Sequence, residues 1–374
     1  MHKATTMYLN RIIVSNFKNI TGADISFSPK INCICGDNGE GKTNFLDAVY
    51  YLSMTKSFLS SSDRYTFTYG KEEAVLHGDY AFDGGVEDIA VSVRSDGNKT
   101  VRHNGKAYKR MSEHIGKIPV VMTAPSDVAL IHDSGEERRR FLNMMISQMD
   151  QEYLRAVVSY NRLLRQRNSI LKQEPVQDIL LDTVSERMFG FSECIYEARS
   201  RVAGMLNERT ASFYSLISEG KEAVEIRYRS DLSGGTGTAE LFASSLQKDR
   251  VMGFTTSGVQ RDDLEFFMDG YPVRKCSSQG QQKSFLLALK MAQYSVMREV
   301  SGVRPILLFD DLFDKLDTGR VASLIKMVSG GDFGQIFITH TDETRLRGII
   351  GGITDQCKYF SVCRGQVRSS SESC

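Results

Sequence analysis

The chain has no tryptophan, only six prolines among 374 residues, and no excess of either charge, with 47 basic side chains against 46 acidic ones. That balance excludes a globally basic nucleic-acid-binding domain, so any surface for a polyanion must be local. Its seven cysteines (33, 35, 194, 276, 357, 363 and 374) form no C-x-x-C pair and no Cys/His spacing of a zinc site. Cys33 and Cys35 lie two apart on an expected strand and read as small core residues. No apolar run approaches 18 residues and none reads as a secretory leader, so a cytoplasmic chain with reduced thiols and no membrane span is expected. The length allows two or three domains, or one nucleotide-binding domain carrying an insertion.

What is present is concentrated in one stretch. Gly36-Asp37-Asn38-Gly39-Glu40-Gly41-Lys42-Thr43 fits G-x-x-x-x-G-K-[ST] at every fixed position. It lies between a short apolar run, Ile31 to Cys35, and a helical pattern from Asn44 to Met54. Glycines let the backbone curl so that successive N–H groups point inward at an anion. Lys42 is placed to reach the β- and γ-phosphates of a nucleoside triphosphate and Thr43 to hold Mg²⁺, with the helix N-terminus adding partial positive charge.

Strands are expected at Met7–Val14, Ala23–Phe27 and Ile31–Cys35. Short β segments follow from Ala74 to Tyr108, with turns at Asp83-Gly84-Gly85, Asp96-Gly97-Asn98 and Asn104-Gly105, which reads as an antiparallel subdomain. From about Gly135 to Glu219 the spacing turns helical, enough for two to four helices without sustained coiled-coil heptads. Ser230–Thr238 reads as a loop, and β character returns at Gly253. A helix is expected at Gln279–Val300, a buried strand at Pro305–Phe309, a helix near Thr318–Val328 and a strand at Gln335–Thr339. The tail after Arg364 is expected to be disordered.

Ile306-Leu307-Leu308-Phe309-Asp310-Asp311 has the form of a Walker B element: an apolar strand ending in two acids. Asp310 is placed to hold Mg²⁺, and Asp311 to orient and activate the attacking water. Residues 44–305 separate the two elements, more than a compact P-loop enzyme needs, so the helical segment is the expected insertion. Ser277-Ser278-Gln279-Gly280-Gln281-Gln282 opens the helix before that strand, with serine at a cap position. That is the form and place of an ABC-type signature, in which Ser278, Gly280 and Gln281 meet the γ-phosphate bound by an opposite subunit. Lys315-Leu316-Asp317 occupies the place of a D-loop, and His340 that of a switch histidine. Each has a plain structural alternative: a helix cap, a helix start, a strand end. Four elements in register outweigh those alternatives together.

The chain thereby resembles the RecF family, bacterial recombination-repair ATPases whose heads resemble those of SMC proteins. Asn16-Phe17-Lys18-Asn19 and the phosphate loop resemble the family's opening. Ala124-Pro125-Ser126-Asp127 with Glu136-Glu137-Arg138-Arg139-Arg140-Phe141-Leu142 resembles its "S-P-x-D…E-R-R-x-F-L-D" element. Gly258-Val259-Gln260-Arg261-Asp262-Asp263-Leu264 resembles "G-P-H-R-D-D", and Ser278 to Lys283 resembles "S-Q-G-Q-Q-R". The chain departs from the pattern at Leu59, where arginine is usual, and no glutamine fills a Q-loop role.

The resemblance implies an α/β ABC-type P-loop ATPase head, a mixed sheet with an antiparallel subdomain, carrying an inserted helical lobe. The expected core is 1–120 with 250–374, and the lobe 121–249. Also implied are dimerisation around two ATP molecules, slow hydrolysis as release, DNA binding, and work with RecO and RecR to direct RecA onto gaps. Local basic clusters offer DNA contacts: Arg102, Lys106, Lys109 and Arg110; Arg138, Arg139 and Arg140; and Arg155, Arg162 and Arg165 on one helix side. Such clusters would touch phosphates without reading bases. An ATPase subunit of a transport complex shares the ABC motifs and is the alternative reading; no carboxylate cluster stands out for a nuclease.

Overall fold

The computed structural model describes residues 5–369 apart from 61, 83, 84, 312–323, 326, 329, 331, 353 and 355. The D-loop candidate Lys315-Leu316-Asp317 and most of the helix expected near Thr318–Val328 lie outside the described residues. The chain divides into two compact units, one made of Met1–Asp127 and Gln293–Cys374, the other of Val128–Ala292.

Twelve strands of the first unit form one sheet among the described residues. They are β1 (Met7–Phe17), β2 (Ile20–Ser26), β3 (Ile31–Cys35), β4 (Glu73–Phe82), β5 (Gly85–Arg94), β6 (Lys99–His103), β7 (Lys106–Ala107), β8 (Val120–Thr123) and, after β9 to β11 of the other unit, β12 (Ile306–Phe309), β13 (Ile336–His340), β14 (Cys357–Cys363) and β15 (Gln366–Ser369). The order is β7-β6-β5-β4-β1-β2-β15-β14-β3-β13-β12-β8. From β7 to β2 neighbours run antiparallel; β14, β3, β13, β12 and β8 are parallel. Sequence explains the change. Ile31–Cys35, Ile306–Phe309 and Ile336–His340 are buried throughout, as covered parallel strands must be, whereas β4 and β5 alternate buried with more exposed positions. Asn104 and Gly105 turn β6 into β7 with φ of 48° and 75°, the geometry their pairing predicts.

Helix α1 (Lys42–Met54) leaves the phosphate loop and is buried along most of its length. Phe45 of α1 meets Phe27, whose ring also packs edge-on against Phe337 of β13 and Phe360 of β14, with centroids 4.8 and 5.4 Å away. One aromatic cluster therefore fixes the helix against the strands that flank the loop.

The second unit holds α2 (Ala129–His132), α3 (Gly135–Ser147), α4 (Gln151–Leu171), α5 (Asp178–Ser218), α6 (Thr238–Met252), α7 (Val273–Cys276) and the first part of α8 (Gln279–Ser301). A last helix, α9 (Glu343–Ile350), returns to the first unit. In α4 the buried residues Tyr153, Ala156, Tyr160, Leu163, Arg167 and Ile170 recur at three and four, the stripe a helix needs against a neighbour, here α5. Strands β9 (Val224–Arg229), β10 (Asp263–Met268) and β11 (Tyr271–Pro272) form a separate antiparallel sheet, order β11-β10-β9.

Two expectations change here. The second unit runs from 128 to 292, whereas the sequence reading closed the lobe at 249, because β10 pairs with β9, inside the insertion, and stays with it. The stretch after Arg364 was expected to be disordered; residues 366–369 instead form β15, paired antiparallel with β14, and Val367 is buried in the core.

Candidate nucleotide site

The phosphate loop joins β3 to α1 inside the first unit. Gly36 has φ 156°, and a Cβ there would lie 2.3 Å from the carbonyl oxygen of Val362 on β14, so only glycine lets the loop leave the sheet this closely. Lys42 turns inward: its Nζ donates to the carbonyls of Gly36 at 2.7 Å and Asp37 at 3.0 Å. A cavity of about 150 Å³ opens beside it, lined by Asn38, Gly39, Gly41, Lys42, Thr43, Asn44, Asp310 and Asp311.

Glu40 points elsewhere. Its carboxylate accepts the backbone N–H of Arg364, and its carbonyl accepts Gly365 N–H at 3.0 Å and Asn19 Nδ2–H at 3.2 Å. Asn19 Oδ1 also accepts a hydrogen bond from Asn44 Nδ2 at 2.8 Å. The β1–β2 turn and the β14–β15 turn thus grip the loop from outside, through the side chain and the carbonyl of Glu40.

The second acid-bearing strand comes alongside. Thr43 Oγ1 donates to the Asp310 carboxylate, 2.9 and 3.0 Å from its two oxygens, and Thr339 Oγ1 donates to Asp310 Oδ1 at 2.8 Å. Burial holds the Asp310 carboxyl above its ordinary pKa, and the hydroxyls of Thr339 and Thr43 pull it partly back. One hydroxyl and one carboxylate are hard oxygen donors, few in number, which suits Mg²⁺, an ion that keeps waters and substrate phosphates in its shell. Asp311 sits at φ 47°, its N–H donating to Thr339 Oγ1 at 2.9 Å. His340 ends β13 opposite Cys35, one residue before the loop, and is buried. Its Nδ1 accepts the N–H of Thr341 at 2.8 Å, which puts the ring proton on Nε2.

The first unit therefore brings together Lys42, Thr43, Asp310, Asp311 and His340. Sequence reasoning missed Thr339, one residue before His340, and Asn19, although both lie in segments it had singled out. The signature candidate lies in the second unit. Ser278 is exposed and caps α8 reciprocally with Gln281: Ser278 N–H donates to Gln281 Oε1 at 2.7 Å, and Gln281 N–H to Ser278 Oγ at 3.3 Å. Gly280 lies between them and is half-buried.

The basic candidates separate into two kinds. Arg102, Lys106, Lys109 and Arg110 are exposed around the β6–β7 turn, and Arg155, Arg162 and Arg165 are exposed on α4. Arg138 instead forms a two-pronged pair with Asp263, at 2.7 and 2.9 Å, and donates to the carbonyls of Leu130 and Asp133. Its charge is used inside the unit. Arg139 is half-buried and donates to the carbonyl of Asp262 at 2.8 Å, and Arg140 approaches Glu137 at 3.6 Å. No helix among the described residues is long and apolar enough to cross a membrane.

Known proteins resemble the chain in sequence and fold. The RecF/RecN/SMC N-terminal domain family matches residues 8–349. The DNA replication and repair protein RecF of Parabacteroides distasonis is 39% identical over 98% of this chain and 100% of its own length. That of Phocaeicola vulgatus is 42% identical, covering 98% of this chain and 99% of its own. A solved structure of the recombination mediator protein RecF with ATPrS, from the RecFOR pathway, superposes with a TM-score of 0.89 at 29% identity, covering 99% of this chain and all of that one. The Smc head of Pyrococcus furiosus bound to a ScpA domain, at 17% identity and TM-score 0.57 over 97% of this chain and 96% of its own, shares the fold. With a head-type α/β fold, a phosphate loop facing an acid-tipped strand and relatives matched end to end, the chain belongs to the RecF family.

Proposed function

We propose that the chain is an ATP-dependent DNA-binding protein of recombinational repair and replication, using weak ATPase activity as a switch. The observation that carries this reading is the bond from Thr43 to Asp310 beside the loop cavity, because it joins the two halves of a nucleotide site across 267 residues of sequence. In this reading Lys42 and the amides of residues 36–43 take the triphosphate, and Thr43 and Asp310 hold Mg²⁺. The ion neutralises phosphate charge when bound. Asp311 orients the attacking water, and His340, its proton on Nε2, faces the γ-phosphate as donor.

Ser278, Gly280 and Gln281 of a second copy close the site, so ATP holds a homodimer and hydrolysis releases it. The exposure of Ser278 at a helix N-terminus supports that role. The clusters at Arg102–Arg110 and Arg155–Arg165 supply phosphate contacts to DNA, single- or double-stranded, without reading sequence. By family resemblance, RecO and RecR act with it to place RecA at gaps in the cytoplasm.

Sedimentation with ATP, ADP or no nucleotide, with and without gapped DNA, tests the reading. Lys42→Ala should lose nucleotide binding. Ser278→Arg should bind ATP yet stay monomeric. Normal ATP-driven dimers of Ser278→Arg would overturn the shared site.

A further inference from the structure

Two segments that the nucleotide site leaves unused, Glu136–Leu142 and Gly258–Leu264, meet within the second unit around its own cavity of about 420 Å³. Its charged lining is Arg139 from α3, Arg229 at the end of β9, Asp231 in the turn that follows, Lys248 of α6, and Arg261 and Asp263. The other lining positions are serine, threonine and glycine. The volume falls in the range of ligand sites, about 300–1,000 Å³. The walls are unlike most such sites, having no aliphatic or aromatic side chain.

The charges do not balance. Asp263 is taken by Arg138 at 2.7 Å, and Arg229 is taken by Glu265 at 3.0 Å. Asp231 accepts the N–H of Gly258 at 3.0 Å. Arg139, Lys248 and Arg261 have no carboxylate at ion-pair distance among the described residues. Three cations thus face one carboxylate outside any ion pair. Arg139 is also half-buried: burial, then the neighbouring Arg199, pull its pKa down, so its charge is held at a cost that an anion would relieve.

Guanidinium groups suit phosphate because their planar donors match its oxygens two at a time. A nucleobase would find no ring or aliphatic surface to stack on. We propose that this cavity binds a phosphoryl group through its oxygens, without contact to a base. The phosphoryl group comes from a nucleic-acid backbone or from a free polyphosphate; the first source rests on the DNA-binding reading above, the second does not.

The test uses the full chain and the double variant Lys248→Glu/Arg261→Glu, with Lys248→Ala as a milder change at an exposed side chain and a melting curve as the check on folding. One arm measures retention of a short mixed-sequence duplex with ATP between about 50 and 200 mM salt. The other titrates inorganic pyrophosphate by calorimetry in a Lys42→Ala background, which removes the phosphate loop as a competing site. If the source is DNA, the double variant should lower the slope of log affinity against log salt by about 2, near 0.9 for each lost phosphate contact. ATP-dependent dimerisation should persist. If the source is a free polyphosphate, pyrophosphate affinity should fall about tenfold or more, the scale of one lost charge-assisted hydrogen bond, with duplex retention unchanged. A parent protein that retains no duplex at any salt ends the DNA reading and leaves the pyrophosphate arm to decide the cavity. Unchanged affinity of Lys248→Ala and the double variant in both arms would overturn the proposal.

Discussion

Replacing Arg199 by methionine puts a number on what holds the second unit together. Arg199 is 4% exposed on α5 and donates to Asp262 Oδ2 at 2.7 Å, to the carbonyl of Val259 at 2.7 Å and to Asn143 Oδ1 at 3.0 Å. Methionine keeps much of the aliphatic volume and removes every donor. Asp262, fully buried, would retain the Tyr228 hydroxyl as a donor but lose its cation. Removing one partner of a buried ion pair costs about 3–5 kcal/mol, mostly the penalty of the charge left behind. A unit of 150–250 residues loses about 2–4 °C of melting temperature per kcal/mol, so a drop of about 6–20 °C is expected by calorimetry. Arg199→Met/Asp262→Leu should recover most of it, since an apolar pair of similar size replaces both charges at little net cost.

The pH dependence gives a second readout. Burial keeps the Asp262 carboxyl above its ordinary pKa, with Arg199 and the hydroxyls of Ser230 and Tyr228 opposing it. A carboxyl raised in the folded state contributes stability that is fully present below its unfolded pKa and is lost as pH rises through the folded one. Without Arg199 the folded pKa rises further, so the variant's deficit should be larger at pH 8 than at pH 5. A deficit below about 1 kcal/mol, or a double variant no better than the single one, would refute the reasoning.

Other expectations are as direct. Gly365→Ala places a Cβ 1.9 Å from the carbonyl oxygen of Asn19 at φ 72°, so the grip on Glu40 should open. Beyond the clash, left-handed backbone alone costs about 1–2 kcal/mol for a residue with a side chain, and nucleotide binding, followed with a fluorescent ATP analogue, should weaken accordingly. Asp310→Asn should raise the melting temperature of nucleotide-free protein more at pH 8 than at pH 5. Burial raises this carboxyl too, so its favourable contribution is lost as pH climbs. The same variant should bind Mg²⁺–ATP poorly, and a loss of apo stability at pH 8 would count against the assignment. Arg102→Glu/Lys106→Glu, at exposed positions on the β6–β7 turn, should weaken DNA retention equally across sequences; a sequence-dependent change would contradict phosphate contact.

The contiguous parts of the candidate nucleotide site were legible because their chemistry is written in adjacent residues: residues 36–43, then Asp310 and Asp311 at a strand's end. What pairs distant residues was not. Gln335 shows why, since its side chain exchanges hydrogen bonds with the backbone of Leu9 and also donates to the carbonyl of Ser28, and no local pattern marks such a residue. Thr339 and Asn19 are ordinary polar residues until the fold sets them beside Asp310 and Glu40. The lobe boundary was misplaced for another reason. Val-Glu-Ile-Arg-Tyr-Arg at 224–229 alternates as a strand should, but it follows a 41-residue helix, and its partner β10 begins at Asp263, past the loop and α6. The short β15 was hidden because four residues with one buried valine carry too little hydrophobic signal to stand apart from a polar tail.

The grip on Glu40 also orders events in time. The backbone N–H groups that hold the loop belong to Arg364 and Gly365, 324 residues or more further along the chain. During synthesis at about 5–20 residues per second, the loop motif leaves the ribosome long before the turn that shapes it. Contacts this remote in sequence raise contact order and form late in folding. The candidate nucleotide site is thus finished only when β14 and β15 are in place, and a nascent chain stalled before Arg364 carries the motif without its anchored conformation.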